Sequence, residues 1–292
     1  MNVLTGDSGS GKSLILDSLN VLFGGTNIPL NHLIRPGKDY CVIESKFSSS
    51  SEINNWLINN GFQENLTELM PLISSANAII AHKGVVSSYN HENNFIMHLS
   101  ASTIHGGSNS DNKVLTGSVI EAKKRGAIGV SAQINLGSES ESEMIERMGE
   151  ISKQAFEQNM PLLGMVYPRG PNLKIDENDS TKGVSHAVRL AFELGCDMVK
   201  VPWTGDKESF SLVCNSAPIP VLIAGGEHKG SFDDLLKLIQ DAIESGAKGV
   251  CMGRQIFAHK NITAIAKACL LYTSDAADEG LGVDLGGRRI IK

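Results

Sequence analysis

The chain holds 292 residues, room for about two average domains or for one α/β barrel. Lys and Arg total 26 against 32 Asp and Glu, a net charge of -6, which excludes a polyanion binder held by bulk charge and leaves any phosphate contact local. With 41% hydrophobic and 20% charged residues, no apolar run of membrane-spanning length and no basic-then-apolar leader, the composition predicts a soluble, cytoplasmic chain with neither a membrane nor a nucleic-acid partner. The five cysteines (Cys41, Cys196, Cys214, Cys251, Cys269) contain no C-x-x-C pair, so they read as reduced thiols and not as a disulfide framework or zinc site.

In chain order the first motif is Gly6-Asp7-Ser8-Gly9-Ser10-Gly11-Lys12-Ser13, which fits G-x-x-x-x-G-K-[ST] between a strand-like 2–5 and a helical 14–23. In such a loop the amides around Gly6, Gly9 and Gly11 cradle phosphates. Lys12 reaches the terminal phosphates and Ser13 holds magnesium, so ATP with Mg is the ligand expected there. Residues 1–62, including Leu33-Ile34-Arg35-Pro36-Gly37-Lys38-Asp39, resemble the amino-terminal piece of the RecN/SMC family of DNA-repair ATPases. The resemblance implies a partial P-loop NTPase fragment over 1–66. No apolar run ending in Asp-Glu, no Leu-Ser-Gly-Gly and no long heptad region follows, so weak nucleotide binding without hydrolysis is expected. An Asn- and Ser-rich stretch (Ser48 to Ser51, Asn54, Asn55, Asn59, Asn60) then marks a seam.

Residues 69–268 carry a regular alternation. Candidate strands are Ile79 to Lys83, Phe95 to Leu99, Ile128 to Ile134, Leu162 to Tyr167, Met198 to Trp203, Val221 to Gly226 and Gly249 to Gly253. Amphipathic stretches such as 139–158, 184–194 and 232–245 lie between them with helical spacing. Near-continuous apolar strands alternating with helices predict an α/β fold with a parallel sheet buried on both faces. The count favours a (β/α)8 TIM barrel one strand short; an open doubly wound sheet is the alternative, since strand order is invisible in sequence.

In a parallel barrel the reactive groups sit where the strands stop. Those positions hold His82 and Lys83, His98, Gln133 and Asn135, Tyr167, Lys200, Gly225 and Gly226, and Gly253 with Arg254. Lys200 lies in the apolar run Met198-Val199-Lys200-Val201-Pro202-Trp203. Burial there is expected to lower its pKa and supply the neutral amine that attacks a carbonyl to form a Schiff base. The alternatives are a lysine paired with a strand-end carboxylate, and Lys83 as the reactive amine. Tyr167 could aim its phenol into the mouth and move a proton, or be an interior tyrosine satisfied by a backbone carbonyl. Gly225, Gly226, Gly253 and Arg254 follow the last two strands, where bare backbone amides and a guanidinium suit a phosphate.

Ala81-His82-Lys83-Gly84, His98-Leu99-Ser100-Ala101-Ser102-Thr103, Asn135-Leu136-Gly137-Ser138-Glu139, Tyr167-Pro168-Arg169-Gly170, Thr204-Gly205-Asp206 and Gly253-Arg254-Gln255-Ile256-Phe257 together resemble one family. It is that of the archaeal-type class I fructose-bisphosphate aldolases and 2-amino-3,7-dideoxy-D-threo-hept-6-ulosonate synthases, within the DeoC/LacD aldolase superfamily. The resemblance implies that Lys200 is the Schiff-base lysine and Tyr167 the acid/base tyrosine. It also implies that Gly225, Gly226, Gly253 and Arg254 hold the phosphate of a small phosphorylated keto sugar, with no metal or cofactor, in a homo-oligomer if the barrel is intact. The family's first strand, ending in Asp-His-Gly, has no counterpart in this chain, which predicts an open seam in the barrel and impaired turnover.

Residues 269–292 match neither segment. Cys269 to Glu279 reads CLLYTSDAADE and Val283 to Lys292 reads VDLGGRRIIK, both similar to translated sequencing-library adapter. This predicts a disordered tail outside the fold and a chain joined from unrelated pieces.

Overall fold

The computed structural model describes residues 66–90, 93–175, 179–226, 231–257 and 261–274. The chain divides into two units between Gln63 and Glu64, and every described residue belongs to the second. The phosphate-loop motif Gly6–Ser13 and the tail from 275 onward lie outside the described residues.

In chain order the strands are β1 (Ile79–Ala81), β2 (Phe95–His98), β3 (Ser100–Ala101), β4 (Val114–Leu115), β5 (Gly129–Leu136), β6 (Leu162–Pro168), β7 (Met198–Val201), β8 (Val221–Ala224) and β9 (Gly249–Cys251). The helices are α1 (Leu66–Leu72), α2 (Lys83–Tyr89), α3 (Val119–Lys124), α4 (Glu141–Gln158), α5 (Thr181–Glu193), α6 (Lys207–Cys214), α7 (Phe232–Glu244), α8 (Arg254–Phe257) and α9 (Ile262–Ser274). Seven strands form one curled sheet in the order β1-β2-β5-β6-β7-β8-β9, and every neighbouring pair is parallel. These are the seven strands expected from the apolar runs. A doubly wound sheet reverses its strand order at a switch point. This order never reverses, so the barrel-type winding is the correct reading of the alternation.

Strand ends differ from expectation for local reasons. β7 stops at Val201 because Pro202 has no N–H to give the ladder. β1 stops at Ala81, and Lys83 opens α2 instead of ending a strand. The antiparallel pair β3–β4 and the 3-10 segment Ile104–Asp111 between them carry no periodicity that sequence reading could use.

Side-chain alternation assigns the two faces. Ala132, Gly164, Val199 and Val221 stand in one register row, and Val201 pairs Ile223; all point to the convex side. There they meet Met144, Met148 and Ile151 of α4, Val184, Ala187, Val188 and Ala191 of α5, and Phe210 and Val213 of α6, all buried in one core. A β-carbon added to Gly164 would lie 2.8 Å from Cys196 Sγ, so α5 and its following turn sit directly on β6. Burying each large aliphatic side chain in this layer contributes about 1.5–3 kcal/mol. The helices start on local signals: Ser118 accepts from Glu121 N, Asp206 from Ser209 N, and Ser231 with Asp234 forms a capping box.

At the carboxyl end α9 runs past the expected seam at 269, through Cys269 to Ser274. Cys269 falls one helical turn after Ile265 and packs with it against Leu235 and Ile239, so the apolar stripe continues past the seam. No helix among the described residues is long and apolar enough to cross a membrane.

Phe210 is fully buried, its ring tilted at 45° against Trp203 with centroids 4.8 Å apart. Phe210→Ala is expected to cost about 3–5 kcal/mol, read as a lower urea midpoint at unchanged slope.

Candidate active site

The sheet register places the site. On the concave face one row runs Gln133, Met165, Lys200, Leu222, Gly249. The row nearer the strand carboxyl ends holds Asn135 beside Tyr167, and Ala224 beside Cys251. Lys200 therefore points into the concave side while Val199 and Val201 pack under the helices. There its ammonium interacts with Tyr167 and Cys251.

Burial disfavours the Lys200 ammonium, but its interactions with Cys251 and Tyr167 together favour it more. The net direction is upward from the ordinary lysine value, which corrects the expectation that burial alone would depress it. The amine must hand its proton to a neighbour before it can act as a nucleophile, and Tyr167 is beside it. Among the described residues Lys200 has no carboxylate ion-pair partner, so the salt-bridged alternative does not apply. Lys83, the competing amine, is 46% exposed and lies 3.6 Å from Glu121 in an ion pair.

Tyr167 is held from its far side. The Arg169 guanidinium sits 5.3 Å from the ring centroid, and Arg169 Nε donates to Asn135 Oδ1 at 2.9 Å. Buried Asn135 also accepts from Gln133 Nε2 at 2.7 Å and donates to Asp111 O at 2.7 Å, which ties the segment between β3 and β4 to the mouth. The loops after β5 and β6 touch backbone to backbone: a β-carbon on Gly170, at φ 145°, would lie 2.3 Å from Gly137 carbonyl atoms. Only glycine permits that approach, and the contact carries Arg169 into place over Tyr167.

His98 borders the same space from β2. Its Nδ1 pairs Ser131 Oγ at 2.9 Å, and its ring meets His82 edge-on at 5.3 Å. Burial first, then the positive charges of His82, Lys200 and Lys113, push its pKa down to about 4.

The glycine loops border the mouth beside Cys251. Gly225 follows Ala224, the register partner of Cys251, and its carbonyl accepts from Gln255 Nε2 at 2.9 Å. A β-carbon on Gly225 would lie 2.9 Å from Met252 Cγ, whereas Gly226, at φ 64°, faces open space. The Gly253 carbonyl accepts from Ile256 N and Phe257 N, opening α8, and Arg254 is exposed on its first residue. The structure thus sets Lys200 and Tyr167 on the concave side of neighbouring strands, with Gly225, Gly226 and Gly253 in the loops after β8 and β9. Gly6, Gly9, Gly11, Lys12 and Ser13 lie outside the described residues. Sequence reading passed over Cys251 and Lys113. Cys251 ends a three-residue strand, and only its alternation with Gly249 marks the face it shares with Lys200. Among the described residues no cluster of three or more His, Cys, Asp or Glu could hold a metal ion.

The lowered His98 pKa has a definite sign in stability. The unfolded chain binds that proton near pH 6.5 and the folded chain only near 4, so stability falls as pH drops between those values, by on the order of 3 kcal/mol. Urea unfolding from pH 7 to 4 should show the loss, His98→Gln should flatten it, and histidine NMR should put the His98 midpoint near 4.

A family model described as DeoC/LacD family aldolase matches residues 58–259. The chain is 42% identical over 195 residues to 2-amino-3,7-dideoxy-D-threo-hept-6-ulosonate synthase 1 of Archaeoglobus fulgidus, covering 65% of this chain and 71% of that one. It is 38% identical over 183 residues to 2-amino-4,5-dihydroxy-6-oxo-7-(phosphonooxy)heptanoate synthase of Streptomyces griseus, covering 61% and 66%. Among solved structures it superposes with TM-score 0.68 and 27% identity on an archaeal fructose 1,6-bisphosphate aldolase, covering 76% of this chain and 88% of that one. The same figures hold for such an aldolase with its catalytic Lys covalently bound to the carbinolamine intermediate of the substrate. This chain belongs to the DeoC/LacD family of aldolases.

Proposed function

We propose that this chain is a class I aldolase that forms a Schiff base through Lys200 with a phosphorylated keto sugar such as fructose 1,6-bisphosphate, with Tyr167 as its acid/base group. The observation that carries this reading is one lysine on the concave face, on the strand beside that of a phenol and below a rim of glycines, with no carboxylate ion pair among the described residues. The similar archaeal aldolase with a lysine-bound carbinolamine supports the chemistry. The printed names of the relatives support the substrate class: the 6-oxo-7-(phosphonooxy) product and fructose 1,6-bisphosphate share a ketone one carbon from a phosphate ester.

In this reading the Lys200 ammonium gives up a proton and its lone pair attacks the ketone carbon. The C–N bond forms as the carbonyl π pair moves to oxygen, which takes a proton; loss of water leaves the iminium. The iminium then accepts the electron pair of the C–C bond two atoms away as the hydroxyl beyond that bond loses its proton, releasing an aldehyde and leaving an enamine. Tyr167 takes and returns these protons. The phosphate lies against the amides of Gly225, Gly226 and Gly253, with Arg254 as a guanidinium clamp. Gly226 leaves its amide uncovered by any side chain of its own, as such an approach requires. No cofactor takes part. Among the described residues β1 has no strand on its outer side, and without the family's first strand turnover is impaired. The loop Gly6–Ser13 plays no part in this reading; ATP binding there rests on its motif alone.

Borohydride reduction in the presence of fructose 1,6-bisphosphate should add a sugar-phosphate mass to the peptide bearing Lys200, and Lys200→Ala should abolish the adduct. Tyr167→Phe should keep the adduct while cutting turnover by about 10²–10⁴-fold. Labelling at another lysine, or at none, would overturn the assignment.

A further inference from the structure

Tyr167 of β6 stands opposite Asn135 of β5, and Arg169 follows it two residues later. Arg169 N donates to Leu136 O at 2.9 Å, which carries the ladder one bond past the strand and fixes that main chain. The side chain then lies along Asn135, with Nε donating to Oδ1 at 2.9 Å and the guanidinium 5.3 Å from the centre of the Tyr167 ring. Asn135 cannot turn. Its Oδ1 accepts from Gln133 Nε2 at 2.7 Å as well as from Arg169, and its Nδ2 donates to Asp111 O at 2.7 Å. A flipped amide would set nitrogen against two donors and oxygen against a carbonyl. Asn135 is fully buried, so no water would relieve those mismatches. Among the described residues Arg169 has no carboxylate ion pair, and the amide oxygen and the ring face are what hold it.

We propose that Arg169, aimed by Asn135, is a positioning residue for the Tyr167 phenol and fixes the plane in which that phenol gives and takes protons. The inference rests on the aldolase reading above. The χ2 well of a tyrosine is broad, so a ring without a contact on its face turns within it. The phenolic O–H lies in the plane of the ring because its oxygen is conjugated with it. That plane therefore sets the direction in which the proton leaves and returns. A cation is drawn to the negative face of the ring and away from its positive edge, so the guanidinium resists any turn that would bring the edge toward it. Arginine suits this task by its shape. Its nitrogens share one plane, so it can donate from Nε and keep its charge over a ring at once. A lysine ends in one nitrogen on a flexible stem and must choose between the two partners.

Losing the plane bears unequally on the steps of the reaction. Proton exchange between the phenol and the substrate oxygens depends on it directly. Attack of the Lys200 amine on the ketone, which borohydride traps, does not require it. Removal of Arg169 therefore separates turnover from adduct formation, whereas a general loosening of the mouth lowers both.

The test measures aldehyde release from fructose 1,6-bisphosphate and borohydride trapping for the full chain, Arg169→Lys, Arg169→Ala, Asn135→Ala and Asn135→Asp, each also combined with Tyr167→Phe. The first three should lower kcat about tenfold, with KM within about twofold of the parent and the Lys200 adduct formed at the parent rate. Asn135→Asp keeps the acceptor for Arg169 and loses the donor to Asp111, and should recover most of kcat. Combined with Tyr167→Phe, none of the substitutions should lower kcat further, because the ring they orient has no proton to move. Arg169 is exposed, so Arg169→Lys decides the matter should Asn135→Ala fail to fold by circular dichroism. If the parent traps at Lys200 and turns over while Arg169→Lys matches its kcat, the positioning role is refuted and the aldolase reading stands. The role is refuted equally if trapping and turnover fall together, or if KM rises about tenfold at unchanged kcat, which would make Arg169 a substrate ligand. A parent that traps but releases no aldehyde has no proton transfer for Arg169 to position, which also ends the proposal. If the parent does not trap at all, the aldolase reading falls and takes this inference with it.

Discussion

The interaction on which the site depends is electrostatic, that of one ammonium group with a phenol and a thiol on the inner face of a curled sheet. Water is the strongest partner a lysine can have, and Lys200 has lost much of it. Tyr167 and Cys251 more than return that stabilisation from two different strands, so the charge on Nζ depends on β6, β7 and β9 together. No carboxylate ion pair locks it there among the described residues.

Around that contact the mouth is organised by polar groups and glycines, and hardly by apolar packing. Asn135 joins three segments through one amide: it receives from Gln133 and Arg169 and donates to the Asp111 carbonyl. Arg169 in turn covers the Tyr167 ring, and its loop can reach that position only because Gly170 and Gly137 meet without β-carbons. Gly225 and Met252 repeat the device on the opposite rim, where a side chain on the glycine would drive the two last loops apart. The convex face shows the other principle. Val199, Val201 and Ile223 have no polar task, and helices α4 to α6 cover the sheet as an ordinary apolar core.

That division explains what could be read in the sequence. The apolar runs that became β1, β2 and β5 to β9 are visible because both of their faces are covered over most of their length, and a strand buried twice reads as continuous hydrophobicity. Helix starts are visible where a short polar side chain caps them, as Ser231 and Asp206 do. Register is not visible, and the site is a matter of register. Nothing in the linear order says that Cys251 reaches Lys200, or that Lys83, equally placed at the end of an apolar run, turns onto a helix and pairs with Glu121. The direction of the Lys200 shift was misjudged for the same reason: burial could be inferred from the flanking valines, but its two stabilising neighbours are distant in sequence. At the other end, Cys269 and the residues after it carry an apolar pattern by composition alone, and a helix accepts such a pattern whatever its origin.

The missing strand bears unequally on the two faces. The convex core is made of contacts between each strand and the helix that follows it, and every one of these survives when a neighbour is removed beyond β1. The concave face has no helices; in a barrel it is dried by the strands opposite, and here β2 still faces β7 closely enough for His98 to feel the Lys200 charge. Lys200 is half-buried there, so the electrostatic leverage that a fully dry site gives its dipoles and charges is only partly available. Direct partners matter more under those conditions than bulk dielectric does. Charge interaction between groups on nearby strands persists in the presence of water, whereas a pKa depressed by desolvation does not. Tyr167 and Cys251, on strands either side of β7, are thus the groups whose charge still bears on the amine.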